Sequence, residues 1–287
     1  MSIILKEVSH VYSPDSPFEY AALKNVTLTI PDGQYVAIIG HTGSGKSTLI
    51  QHFNGLMKPT SGQINVQGID LCAKKVPLKQ LRRKVGLVFQ YPEYQLFEET
   101  VEKDVAFGPK NMGLSQEEIK QRVLEAIELV GLDVSVLSMS PFDLSGGQKR
   151  RVAIAGVISM RPEVLVLDEP IAGLDPMGRR EILSLVAAYR EKSGATVILV
   201  SHNMDDVADI AQRVIVMNKG EVALDGTPQE VFSKSELMRS MGLDVPQMTL
   251  LADKLRARGM EVPEGIITEK QMLEFLLDKG VAGCSRT

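Results

Sequence analysis

Four short runs along this chain are apolar at nearly every position: Val36-Ala37-Ile38-Ile39, Val85-Gly86-Leu87-Val88-Phe89, Val164-Leu165-Val166-Leu167 and Val197-Ile198-Leu199-Val200. Such runs read as strands buried on both faces of a parallel sheet. Helical patterns separate them, as βαβ crossovers require. Two earlier stretches, Ile4 to Val8 and Val26 to Ile30, alternate apolar and polar residues. They read as half-solvated antiparallel strands. Arg213 to Met217 and Glu221 to Leu224 flank Asn218-Lys219-Gly220, a hairpin turn. The pattern is that of an α/β protein with antiparallel additions.

The middle of the chain, roughly 91 to 160, changes character. Ser115 and Glu118 make a capping box, and Ile119, Val123, Ile127 and Val130 follow at helical spacing until Gly131. This predicts a helical insertion in the α/β core. Asp175-Pro176 opens another helix, with Asp as cap and Pro in the first turn. Thr227-Pro228-Gln229-Glu230 opens one in the same style, and Pro246 marks a boundary between 1–246 and 247–287. Beyond it, Met248, Leu251 and Leu255 share a helical face. Thr268 and Gln271 cap a second segment carrying Met272, Phe275 and Leu276. This tail is too small to hold a core alone, so it must pack on the main domain or a partner.

Composition narrows the class. With 287 residues, the chain has room for one large α/β domain and a small appendage. Apolar content of 44% and charged content of 24% are ordinary for a globular protein. A formal net charge of -4 gives no global basic field for nucleic acid. The two cysteines, Cys72 and Cys284, have no ligand-like spacing, so neither a disulfide nor a zinc site is expected. Met1 to His10 carries no basic-then-apolar leader, and no apolar run is long enough to span a bilayer. Work at a membrane would need a partner.

The chemistry concentrates at the ends of the apolar runs. Gly40-His41-Thr42-Gly43-Ser44-Gly45-Lys46-Ser47 fits G-x-x-x-x-G-K-[ST] between a strand ending at Ile39 and a helix predicted over Lys46 to Leu56. There the glycines turn backbone N–H groups around phosphates, and the helix start adds its positive dipole end. Lys46 supplies a point charge and Ser47 a hydroxyl for Mg²⁺. Asp168 ends the third run, at the ligand-binding edge of such a sheet, where a carboxylate can hold Mg²⁺. Glu169 alone would read as a solvated acid; beside Lys46 and Asp168 it reads as the group that polarises an attacking water. His202, two residues past Val200, is placed to hold that water or touch the γ-phosphate; standing alone it would be a surface histidine. Gln90 ends the second run and can touch Mg²⁺ or water. His41 lies inside the loop where side-chain identity is not demanded, and His10 and His52 carry no motif. Tyr91-Pro92-Glu93-Tyr94-Gln95-Leu96-Phe97 is aromatic-rich, as either core or docking surface. About a hundred residues after the loop comes Leu144-Ser145-Gly146-Gly147-Gln148. A Gly-Gly opening a helix is a second anion site on the same chain.

With these residues in hand, the chain closely resembles an ATP-binding cassette (ABC) ATPase over roughly Met1 to Pro246. The matching motifs are Gly40 to Ser47 (Walker A), Gln90 (Q-loop), Leu144 to Gln148 (signature), Val164 to Asp168 with Glu169 (Walker B and catalytic acid), Gly173-Leu174-Asp175 (D-loop) and His202 (H-loop). The resemblance implies a P-loop NTPase fold with a mixed core sheet, an antiparallel β subdomain, an inserted helical subdomain and a small C-terminal helical extension. It implies ATP and Mg²⁺ as ligands. Lys46, Gln90, Glu169 and His202 would be catalytic. Gly40, His41, Thr42, Gly43, Ser44, Gly45, Lys46, Ser47 and Thr48 would cradle the nucleotide, and Ser47, Gln90 and Asp168 the metal. Two cassettes face head to tail in such families, so Ser145, Gly146, Gly147 and Gln148 would touch the partner's ATP beside the D-loop Asp175. Tyr12 matches the aromatic that stacks on adenine; the inserted segment Ser13 to Tyr20 leaves Phe18 or Tyr20 as competitors.

Phe89-Gln90-Tyr91-Pro92-Glu93 with Gln95-Leu96-Phe97, Asp104-Val105-Ala106-Phe107-Gly108-Pro109, and Ser140-Pro141-Phe142-Asp143 before the signature resemble the ATPases of energy-coupling factor (ECF) importers. Ala172 to Arg179 fits too, and Val11-Tyr12-Ser13-Pro14 is similar to the second of the two paired ATPases. That resemblance implies a peripheral subunit at the cytoplasmic face of a bacterial-type cell membrane, energising uptake of vitamins or metal ions such as cobalt or nickel. Its partners would be a second ATPase, often in a heterodimer, and a transmembrane coupling subunit that recruits substrate-capture proteins. Tyr91, Tyr94, Leu96 and Phe97 would dock on the coupling subunit, and the tail would help hold the ATPases together. Rival readings are another importer's ATPase, a soluble ABC protein and a non-catalytic cassette. The DNA-repair type needs a coiled coil for which the chain between loop and signature has no room. The translational type carries two cassettes, and Glu169 with His202 argues against a non-catalytic one.

Overall fold

A computed structural model describes residues 3–279; Met1, Ser2 and 280–287, Cys284 among them, lie outside the described residues. The chain opens with β1 (Ile3–Tyr12), β2 (Tyr20–Ile30) and β3 (Tyr35–Ile39), then α1 (Lys46–Phe53), β4 (Ser61–Val66), β5 (Ile69–Asp70), α2 (Leu78–Lys84) and β6 (Val85–Val88). A helical section follows, with α3 (Val101–Met112), α4 (Gln116–Leu129) and α5 (Gly146–Ile158). Next come β7 (Val164–Asp168), α6 (Pro176–Ser193), β8 (Thr196–Val200), α7 (Met204–Ile210) and the hairpin β9 (Arg213–Asn218) and β10 (Glu221–Gly226). The helices α8 (Pro228–Phe232), α9 (Ser235–Ser240), α10 (Gln247–Ala257) and α11 (Glu269–Asp278) complete it.

Two sheets form. One is antiparallel, in the order β2-β1-β4-β5; the other is β10-β9-β3-β8-β7-β6, parallel except for the β9–β10 hairpin. The core sheet is therefore mixed. Both of its faces are covered, which is why its strands read as unbroken apolar runs. Val164 and Val166 face the layer shared with the antiparallel sheet and α1, while Leu165 and Leu167 face α3, α4, α5 and α6. Burying one such aliphatic side chain contributes roughly 1.5–3 kcal/mol. In register, Val200 pairs with both Ile38 and Asp168, and Val88 with Leu167. The carboxyl ends of β3, β8, β7 and β6 thus finish level along one edge.

Several boundaries differ from the sequence pattern. β1 and β2 run longer than their alternation, because register shifts interrupt β1 near Glu7, a non-glycine residue at φ 51. A bulge breaks the period of two without ending the strand. α1 stops at Phe53 rather than Leu56, where Gly55 takes φ 67. In α10, Leu251 is exposed, and Ala252 and Thr249 take the buried face beside Met248 and Leu255. The tail has a cluster of its own around Ala252, Val262, Ile266 and Met272. It is tied to the body by Ile267 in the core of α7, α8 and β9, and by Gln247 N–H donating to Asp205 Oδ1 at 2.8 Å.

Candidate functional site

The phosphate loop is held from behind. A Cβ on Gly40, at φ 157, would lie 2.4 Å from Met217 O, and one on Gly45, at φ 102, 2.5 Å from Ala22 O. Neither position admits another residue without moving backbone. Gly220 N–H donates to Ser44 O at 3.1 Å, anchoring the loop to the β9–β10 turn. His41 reaches Asn218 Oδ1 at 3.2 Å, and Lys46 Nζ donates to Gly40 O at 2.7 Å and His41 O at 3.0 Å.

A cavity of about 400 Å³ opens in front of the loop, lined by Thr42, Gly43, Gly45, Lys46, Ser47 and Thr48 with Tyr20, Ala22, Gln90, Glu169 and His202. The level strand ends bring the last three together from β6, β7 and β8. Gln90 Nε2 donates to Glu169 Oε2 at 3.1 Å, and His202 Nε2 lies 2.7 Å from Glu169 Oε1. Glu169 itself sits at φ 48, a left-handed conformation costing on the order of 1–3 kcal/mol for a non-glycine residue. Asp168 is buried and hydrogen-bonded to Ser47. Burial pushes its carboxyl up, partly offset by the Ser47 bond, with Glu169 adding to the rise. Burial pulls the Lys46 ammonium down, while Glu169 and Asp168 push back.

Ser47, Asp168 and Gln90 offer only oxygen donors toward a metal, the donor class Mg²⁺ prefers. Among the described residues, no group of three or more His, Cys, Asp or Glu side chains could cage a metal unaided. A cation there would therefore complete its shell with phosphate oxygens and water, as Mg²⁺ does at nucleotides.

The other predicted residues are placed as follows. Tyr12 does not line the cavity; its hydroxyl lies 3.1 Å from Thr48 Oγ1 and donates to Met57 Sδ. Tyr20 lines it and donates to Gly43 O at 2.8 Å, while Phe18 is exposed. Ser145 caps α5: its Oγ accepts from Gln148 N–H at 3.3 Å, and Gln148 Oε1 accepts from Ser145 N–H. A Cβ on Gly146 or Gly147 would meet nothing within 4 Å, and neither residue takes a positive φ. Asp175 caps α6 through Gly178 N–H at 2.7 Å. Tyr91, Tyr94 and Phe97 are exposed. Leu96 is buried against the helical-layer core, yet it lines the same groove as Phe97.

One residue escaped the sequence reading. Arg150 carries no role in the sequence motifs, yet only 3% of its surface is exposed. Its Nε and Nη2 donate to both carboxylate oxygens of Glu93 at 3.0 and 2.7 Å. Nη1 donates to Pro170 O and Ala172 O at 3.2 and 2.7 Å. The signal was positional: residue 150 shares a helical face with buried Ile154.

Comparison with known proteins finds relatives along nearly the whole chain. The family model described as "ABC transporter" matches residues 23–172. The energy-coupling factor transporter ATP-binding protein EcfA2 of Clostridium perfringens is 57% identical over 97% of this chain and 98% of its own length. EcfA2 of Enterococcus faecalis is 51% identical over 97% of each. Among solved structures, cbiO1 from Clostridium perfringens, described as part of the ABC transporter complex cbiONQ, aligns with a TM-score of 0.74 at 42% identity. It covers 88% of this chain and 98% of that one. The cassette MJ0796, in a dimeric post-hydrolysis state with ADP and Pi, aligns at 0.70 and 31% identity over 79% of this chain and 98% of that one.

Proposed function

This chain belongs to the ABC transporter family, among the ATP-binding subunits of energy-coupling factor transporters, and on that premise we propose how its geometry hydrolyses ATP and what it drives. Residues 1–246 form the cassette and 247–287 its extension. Gly40 to Thr48 cradle the triphosphate, with Lys46 between phosphates. Tyr20, facing the cavity, is better placed than Tyr12 to meet the base. Mg²⁺, held by Ser47, Asp168 and Gln90, supplies charge neutralisation on the phosphates when bound. Glu169 accepts the proton of the attacking water, and His202 holds Glu169 in position and meets the γ-phosphate. Gln90 reports the state of that site to the segment that follows it. Catalysis of this kind is mainly positioning and charge stabilisation.

The observation that carries the paired reading is Gly146-Gly147. Nothing in this chain's own packing or backbone demands glycine there. Small residues at an exposed helix start are explained by a second molecule approaching the backbone N–H groups. The approaching group is ATP held by a facing ATPase, with Asp175 beside it. ATP binding closes the pair around two nucleotides, and hydrolysis with phosphate loss lets it open. The partner is a second, different ATPase. The pair works at the cytoplasmic face of the membrane on a transmembrane coupling subunit, met by Tyr91, Tyr94 and Phe97, and energises uptake of a vitamin or a transition metal. Among the described residues no helix is long and apolar enough to cross a membrane.

Affinity capture of this chain from detergent-solubilised membranes tests the assembly. A second related ATPase and one polytopic protein should copurify. Recovery with a periplasmic-type binding protein, or with no membrane protein, would overturn it.

A further inference from the structure

Three segments meet at one guanidinium and close a ring. Gln90 and Glu169 are joined directly at the cavity. Three residues on from Gln90 lies Glu93; one and three residues on from Glu169 lie Pro170 and Ala172. All three are gathered by Arg150. Arg150 stands on α5, five residues past Ser145, and α5 opens with Gly146-Gly147. The guanidinium also lies 6.0 Å from the centre of the Tyr91 ring. Hence the catalytic acid, the γ-phosphate reporter, the signature helix and the exposed aromatics are wired through one buried side chain.

The chemistry of the fork matters. A guanidinium can grip a carboxylate with two parallel bonds and still donate to carbonyls on its other side. An ammonium is a point charge and cannot do both. Burial raises the Glu93 carboxyl, but the hydrogen bond from Arg150, the one from its own backbone N–H and the Arg150 charge together outweigh it and hold the group below its ordinary range. The link is therefore an ion pair. Two of the ring's residues, Tyr91 at φ 55 and Glu169 at φ 48, hold left-handed conformations that surrounding contacts must enforce.

We infer that Arg150, gripping Glu93 on one side and the Pro170 and Ala172 carbonyls on the other, is a positioning residue that keeps Gln90 and Glu169 in register with the signature helix. This rests on the ATPase reading above. When the segment after Gln90 shifts, α5 and the loop behind Glu169 shift with it. One substitution then disturbs both nucleotides of a pair. It loosens this chain's own acid, and it loosens the signature helix offered to the partner's ATP. Nucleotide affinity at this chain's phosphate loop stays, because none of Gly40 to Thr48 belongs to the ring.

The test uses the purified complex of this chain with its partner ATPase and membrane subunit. Phosphate release against ATP concentration gives kcat and KM, and mant-ATP binding counts intact sites. The variants are Arg150→Lys, Glu93→Gln and the two combined. Arg150→Lys should lower kcat about tenfold, with KM and mant-ATP stoichiometry changed by less than about twofold. Glu93→Gln should shift kcat in the same direction, and the double variant should be no slower than the slower single, since both break one link. An unchanged kcat per mant-ATP site in either single variant would overturn the inference. So would a kcat loss matched by lost sites, or losses that multiply in the double variant. If the Arg150→Lys complex does not assemble, Glu93→Gln alone decides by the same criteria. A wild-type complex without ATPase activity would instead sink the transporter reading and this inference with it.

Discussion

Glu169 is held where an ordinary side chain would not choose to be. Its left-handed φ turns the carboxylate back between Gln90 and His202 instead of out into solvent. Replacing it with glutamine keeps the shape and the reach but removes the base proposed above. Glu169→Gln, with the partner ATPase's acid replaced as well, should leave ATP binding within about threefold while turnover falls about a hundredfold or more. Phosphate release beside equilibrium nucleotide binding checks this; normal turnover would remove Glu169 from the role. Asp168 makes a different prediction. Its folded carboxyl is pushed above the ordinary 3.8, so its contribution to stability is fully present below that value and is lost as pH rises through the folded one. At neutral pH the buried charge therefore costs stability. Asp168→Asn should raise Tm at pH 7 by a few degrees, with the gap narrowing on acidification. Thermal melts of the nucleotide-free chain across pH are the measurement; a gap that widens in acid would contradict it. The same variant should gain less Tm than wild type from Mg-ATP, since stability is traded against function at such a carboxylate.

Caps and periodicity were the most legible features at the scale of single elements. Ser115, Asp175, Thr227 and Thr268 each accept the N–H bond that their sequence context predicts. A cap is a local device, so a few adjacent residues suffice to see it. The apolar runs of the core sheet were equally plain, because both faces are dry. Legibility failed where a distant contact decides. The bulge at Glu7 hid the length of β1, Leu96 is buried against the helical-layer core, and Arg150 was drawn into the interior by Glu93, 57 residues away. Hydrophobic patterning has no term for a charge that is buried because another charge meets it. At the tail, Thr268→Ala removes the hydroxyl half of the α11 cap, worth about 1 kcal/mol, and leaves the half in which the backbone N–H of residue 268 donates to Gln271. Hydrogen exchange of the α11 amides should accelerate severalfold, while those of β7 and β8 should not change; uniform acceleration would mean that α11 supports the whole fold.

For the whole molecule, the gathering of the Gly40 to Ser47 motif with three strand ends was legible, since a parallel sheet delivers its carboxyl ends to one edge. Surfaces for partners were less so, because a single chain does not contain the shape that covers them. A groove of about 590 Å³ between α2 and the helical section shows what was missing: Phe97 and Phe107 stand edge to face, 5.0 Å apart, with Met160 and Arg83 in the same wall. Exposed aromatics in a concave site mark a docking surface better than their count along the sequence does. Phe97→Asp should cut recovery of the membrane subunit about tenfold or more, with Tm moving by less than about 2 °C because Phe97 is solvent-facing. Copurification yield and thermal melts check it, and full recovery would move docking elsewhere. The order of the core sheet carries one more consequence. β3, β7 and β8 each lie between two neighbours, while β6, from which Gln90 emerges, has a neighbour on one side only. The scaffold is stiff beneath the phosphate loop, the acid and His202, and compliant beneath the glutamine. Among the strands that deliver the site, a force arriving from outside would bend this rim first, so the site rests on an anvil with one springy corner.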